Sequence, residues 1–169
     1  MNTPTRMSWA DGEPARLVAM AAYAAYAAAW TWQVQLRGRP AAEPERPTGV
    51  LLTAAATFRF SRLIGKAKIT RPLRAPFTEV DGDGAPAELN ESPRDGRRVL
   101  GELASCPFCL SMWVATGLTG ARLIWPRATV AAERTLAVVA VADAMQLVYS
   151  MLVRAAEAEP EAEPEDEGE

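Results

Sequence analysis

Two thiols three residues apart, Cys106 and Cys109, are the side chains of this 169-residue chain best suited to chemistry. They are its only cysteines, and it has no histidine. That absence removes Ser–His and Cys–His dyads, histidine-ligated metals and imidazole proton shuttles together. The pair Cys106-Pro107 fits a helix start, with cysteine at the N-cap and proline at the first helical position, where its missing N–H costs nothing. Cys109 then falls on the third helical residue, facing free backbone amides. A helix N-terminus can lower a cysteine's pKa from about 8.5 toward neutrality. Two thiols so spaced can exchange with a disulfide, share a metal ion, or simply pack as small soft side chains under Trp113. Zinc sites usually take four ligands. One chain offers two thiolates and carboxylates such as Glu102, so a zinc site built from these cysteines requires a homodimer. No other cofactor is expected.

The elements that position this pair are apolar. Residues 17–34, "LVAMAAYAAYAAAWTWQV", carry no charge and as a helix would reach about 27 Å, close to a hydrocarbon core of about 30 Å. Tyr23, Tyr26, Trp30 and Val34 follow helical spacing. Ala21, Ala25 and Ala29 form a small-residue stripe along which another helix could approach. A second run, residues 49–64, contains Arg59 and Arg62, which must reach headgroups or find a buried anion. The third, residues 107–126, has Arg122 near its far end, where snorkelling is easy. The fourth, residues 136–153, holds Asp143 and Gln146. A charge at mid-membrane costs roughly 2.5–3.5 kcal/mol or more when unpaired, so Arg59 and Asp143 are natural partners in a structural ion pair.

The spacing therefore predicts an all-α, multi-pass transmembrane helical bundle. Four helices are expected near 16–36, 48–65, 106–125 and 130–153, or three with the second lying in the interface. A polar segment, 1–15, precedes them, and a long polar loop, 66–105, divides the second from the third. Residues 154–169 form an acidic tail. Eight of the chain's 21 acids lie in 157–169 with no base, leaving 13 against all 18 bases, so the body is +5. A Glu/Pro/Ala string cannot bury enough apolar surface to offset its ordering entropy and is expected to be disordered. With four spans, ten bases share the side of the N-terminus, second loop and tail, against five opposite. That places those segments in the cytoplasm and the protein in the inner membrane.

The second loop opens with "KAKITRPLRAPF", where Lys68, Arg71 and Arg74 alternate with Ile69, Leu73 and Phe77 as in a segment at the membrane surface. Glu102 and the cysteines are expected on the same surface. "EVDGDG" then begins like a calcium loop but fails at the twelfth position, Asn90, and contains Pro86.

The strings "FSRLIGKAKITRPLRAPF", "LNESPRDG", "GELASCPFCLSMWVATG" and "WPRAT", in this order over about residues 57–151, resemble the uncharacterised bacterial membrane-protein family called domain of unknown function 1360. The resemblance implies a small multi-pass membrane protein and supplies no catalytic residues. Separately, CPFC is similar to the CPYC of glutaredoxins, although no βαβ pattern surrounds it. The expected function is a membrane scaffold or interaction protein, more naturally a non-enzyme. The alternatives are a membrane-surface thiol redox protein and a homodimer with shared zinc. The expected partners are the lipid bilayer and a second copy or another membrane protein, without nucleic acid.

Overall fold

A computed structural model of the chain describes residues 13–38 and 46–157. The first twelve residues, the segment 39–45 and positions 158–169, which hold most of the tail read as disordered, lie outside the described residues. Helix α1 spans Glu13–Arg37, α2 Pro47–Gly65, α3 Arg71–Arg74, α4 Arg98–Ser105, α5 Pro107–Ile124 and α6 Pro126–Glu157. Strands β1, Thr78–Asp83, and β2, Leu89–Pro93, form an antiparallel hairpin between α3 and α4. Prolines open α2, α5 and α6, at positions where a helix has no use for the missing N–H.

Helices α2 and α5 run antiparallel. Gly65 meets Pro107 and Leu110 at one end, and Arg122 donates to Gly49 O at 3.2 Å at the other. Helix α6 packs on the α2–α5 pair, and α1 lies against α5. That last contact is made by aromatic rings rather than by the alanine stripe, whose Ala21, Ala25 and Ala29 are exposed. The Tyr23 hydroxyl lies 2.9 Å from Thr116 Oγ1, and Tyr26 donates to Trp113 O at 3.1 Å. Trp30 lies over Gly120, where a Cβ would come within 2.4 Å of its ring. Glycine in α5 thus provides the socket, so large residues on α1 can enter it.

The loop 66–105 is ordered by polar contacts. Glu79 pairs with Ser92 and Val80 with Glu91, and a bulge between Val80 and Gly82 leaves Asp81 unmatched; such an extra residue bends the strand. The calcium-like string is therefore strand: Asp83 pairs with Lys68 at 2.8 Å, and Asp81 accepts from Ser92 at 2.9 Å. Gly101 of α4 sits against the hairpin, where a Cβ would come 2.6 Å from Phe77 O.

Beneath the hairpin lies Arg74. It and Glu91 are each only 1% exposed. Arg74 Nε and Nη2 donate to the two Glu91 oxygens at 2.9 and 3.0 Å, and Nη1 donates to Thr70 Oγ1 at 2.8 Å. The remaining donors reach Ile64 O and, at 3.1 Å, Ala67 O. All five guanidinium N–H groups are used, two of them on carbonyls at and just beyond the C-terminus of α2. Thr78 adds a 2.7 Å bond to Glu91. Arg74 is therefore removed from the basic surface on which the sequence placed it.

The four-helix, multi-pass, all-α expectation is corrected on two counts. The loop contains a β-hairpin. And among the described helices only α6 is by itself long and apolar enough to cross a membrane; α4 and α5 reach that composition jointly but are bent by 70° at their junction. The reasons lie in the sequences: α1 is alanine interrupted by Tyr, Trp and Gln, and α2 carries Arg59 and Arg62.

Removing one partner of a buried ion pair costs about 3–5 kcal/mol, so Arg74→Met or Glu91→Leu should each lower the unfolding midpoint of detergent-purified protein sharply. The double variant should stay destabilised, because Ile64 O and Ala67 O still lose their donor. Burial pushes the Glu91 carboxyl up, but hydrogen bonds from Arg74 and Thr78 and the charges of Arg74 and Arg71 outweigh it and hold the group below the ordinary 4.5. A carboxylate depressed on folding stabilises above its unfolded pKa and loses that contribution as pH falls through the folded value. Acid melts below pH 4.5 should therefore be steeper for the wild type than for Glu91→Gln.

Candidate functional site

Helix α4 ends at Ser105, whose buried hydroxyl turns back to Gly101 O at 2.8 Å. Cys106 takes an extended conformation, φ −100° and ψ 105°, and redirects the chain into α5. Its sulfur is the N-cap: Sγ accepts the Cys109 N–H at 3.3 Å, satisfying one of the free amides of the first turn. The start of α5 is pressed on the end of α2, where a Cβ at Gly65 would stand 3.5 Å from Pro107 N. Lys66, just past that end, acts on the thiol through its charge. Both cysteines are free thiols, Cys106 half-buried and Cys109 exposed, and Phe108 between them is 87% exposed.

The two thiols are held apart in acidity. Burial pushes Cys106 up, but the Cys109 thiol, the N–H groups of Cys109 and Phe108, and the Lys66 charge outweigh it, leaving its pKa below the ordinary 9.0. Cys109, donating to Cys106, is raised to about 11 by that hydrogen bond, by burial, and by the Cys106 and Glu102 charges. Cys106 is thus the more acidic of the two thiols and Cys109 the one that keeps its proton. Trp113 rests on the rings of Tyr23 and Tyr26, with centroids 5.2 and 5.3 Å away.

The remaining sequence candidates are dispersed. Arg59 Nη1 lies 3.0 Å from Asp143 Oδ2, joining α2 to α6. Arg62 forms a bidentate pair with Glu88 at the hairpin's turn. Glu102 sits between Arg98, at 3.1 Å, and Arg16, at 3.7 Å. Lys68 is tied to Asp83, Arg71 is exposed, and Phe77 stacks under Arg97 at 5.6 Å. Among the described residues no group of three or more Cys, Asp or Glu side chains could hold a metal.

Sequence reasoning missed the cluster around Glu133. That carboxylate is fully buried; Thr53 donates to its Oε1 at 2.9 Å, and Arg122 Nη1 stands 3.3 Å from its Oε2 in ion-pair rather than hydrogen-bond geometry. Arg122 also donates to Thr53 at 2.8 Å. It is thus turned inward instead of snorkelling. The available signal was a carboxylate at the start of an apolar helix, facing an arginine at the end of the preceding one.

At neutral pH iodoacetamide should modify Cys106 before Cys109, although Cys109 is the more exposed. Cys109→Ala should slow alkylation of Cys106, by about tenfold if its pKa rises by one; peptide mass mapping over time reads both. For the other pair, Asp143→Ala should reduce the yield of folded protein more than the double variant with Arg59→Ala, as a coupled pair requires. Additive losses in a thermal-shift cycle would remove the coupling.

A model of the family described as "Protein of unknown function (DUF1360)" matches residues 51–149. No curated protein and no solved structure matches the chain.

Proposed function

Since the chain belongs to the DUF1360 family, which brings no activity with it, we propose from the site itself that this is a membrane-anchored thiol–disulfide exchange protein. The observation that carries the reading is the Cys106 sulfur capping α5 through the Cys109 N–H, with the Cys109 thiol as its proton-holding neighbour. In the exchange, the Cys106 thiolate attacks one sulfur of a partner disulfide. A mixed disulfide forms and the partner's other sulfur leaves as a thiolate, which takes a proton from water. Once Cys106 carries no charge, the hydrogen bond and the charge that raised Cys109 are gone. Cys109 then loses its proton to water, attacks Cys106 Sγ, and releases the second partner sulfur. Two electrons pass to the partner, leaving a Cys106–Cys109 disulfide that a dithiol donor must reduce again.

Anchoring is supported by α6. Its apolar stretch has no buried residue, and Val138, Val141, Met145, Val148 and Leu152 are all exposed. Apolar surface on this scale marks contact with a membrane or another protein, and the helix has the length for a bilayer. Among the described residues the buried hydrophobic side chains are Ala56 and Val114, while Thr57, Ser61, Arg74, Thr78, Glu91 and Glu133 are buried beside them. Polar groups inside and apolar groups outside suit a lipid surrounding better than water.

A scaffold without chemistry is the second reading, favoured by the exposed Phe108 at the site. The two separate on one preparation in detergent, equilibrated in glutathione buffers and mass-labelled at the thiols. The exchange reading expects reversible passage between dithiol and intramolecular disulfide. It also expects Cys109→Ser to accumulate a mixed disulfide with glutathione, and Cys106→Ser to form none. A pair that stays in one state at every buffer ratio overturns it in favour of the scaffold.

A further inference from the structure

Two sulfurs stand together at the head of α5. The Cys109 thiol donates to the Cys106 sulfur, so one proton already lies between them. Cys106 is half-buried and Cys109 exposed, which leaves an open side from which an ion can enter. Pro107, at the first helical position, is pressed against the end of α2 at Gly65. The backbone that carries both sulfurs is thus held on its inner side.

What such a pair can hold follows from ligand count and charge. Among the described residues no third Cys, Asp or Glu side chain joins it in a metal-holding group, and the chain has no histidine. Structural zinc almost always takes four ligands, and iron–sulfur clusters take four cysteines. Monovalent copper is a soft ion that thiolates select, and two sulfurs in line complete its coordination. On binding, both thiols give up their protons to water, two copper–sulfur bonds form, and the copper stays monovalent. The resulting bis-thiolate complex carries one negative charge. That charge falls at the start of an 18-residue helix, whose dipole favours an anion. The Cys106 sulfur already accepts the Cys109 N–H at 3.3 Å. The Phe108 N–H also reaches it, and the Lys66 charge acts on it. Zinc on the same two thiolates would be neutral and would gain little from these groups.

We propose that Cys106 and Cys109 in their reduced form make a two-coordinate site for monovalent copper. The site goes beyond the exchange reading and does not depend on it, since holding the ion needs two sulfurs and no electron transfer.

The test uses the full chain in detergent, reduced and kept under nitrogen, with Cu(I) supplied against the chelator bathocuproine disulfonate. The dithiol should take one copper per chain from the chelator, and protein blocked at its thiols with N-ethylmaleimide should take none. Zinc at equal concentration should not displace the copper. Cys106→Ser and Cys109→Ser should each lose the ion to the chelator. Serine is itself a good N-cap, so Cys106→Ser should keep its melting temperature, which separates loss of a ligand from loss of the fold. Lys66→Gln should weaken binding several-fold at low salt, the scale of one nearby charge. Copper retained by either serine variant, zinc held as firmly as copper, or half a copper per chain would overturn the proposal. A pair that holds copper yet stays dithiol at every glutathione ratio supports the site and tells against the exchange reading alone. One that cycles with glutathione but takes no copper overturns the site and leaves that reading standing.

Discussion

A buried guanidinium with five donors must find five acceptors, and the region between α2 and α4 is arranged around meeting that demand at Arg74. Two acceptors come from the Glu91 carboxylate, one from Thr70 and two from carbonyls at the end of α2. A helix leaves its last carbonyls without partners, so Arg74 and α2 satisfy each other. The chain can turn sharply at residues 66–74 because the carbonyls exposed by the turn are taken up. Glu91 brings β2 with it, Thr78 brings β1, and the hairpin then supports α4 through the close approach at Gly101.

The rest of α2 repeats this logic along its length. Arg62 reaches the hairpin through Glu88, Arg59 reaches α6 through Asp143, and Thr53 reaches Glu133, which is held by Arg122 of α5. One link goes to the hairpin and two go to α6, and each is charged or hydroxylic. A molecule with so few buried hydrophobic side chains draws its specificity from these directional contacts. Many large apolar side chains, above all on α6, are exposed. Polar groups count for more in a low-dielectric interior, which strengthens a satisfied hydrogen bond as well as penalising an unsatisfied one.

The thiol site depends on the same scaffold. Cys106 occupies its extended conformation because α4 must stop against the hairpin and α5 must start against the end of α2. Lys66 influences the thiol because Arg74 fixes the end of that helix nearby. The bend between α4 and α5 thus places Cys106 as the N-cap of α5, accepting from the Cys109 N–H.

The sequence by itself determined the local features: the helix start at Cys106-Pro107, the absence of imidazole chemistry, and the family through the strings around RPLRAPF and CPFC. These rest on covalent geometry, residue type and short-range order, which a linear string carries. It also carried the need of Asp143 for a cation and named Arg59 as its partner, the pair that stands at 3.0 Å in the structure. Only the tertiary structure decided that Arg74 is buried and not on a surface, that Arg122 turns inward to Glu133, and that the polar loop holds a hairpin. The strands at Thr78–Asp83 and Leu89–Pro93 show little apolar alternation, because ion pairs and main-chain bonds hold them rather than a hydrophobic face. Hydropathy also overstated the number of spans: runs of alanine, or of apolar residues around an arginine, look alike to composition but differ in whether they can face lipid. An arginine's fate depends on which carboxylate and which carbonyls the fold brings within hydrogen-bond reach, and those partners lie far away along the chain.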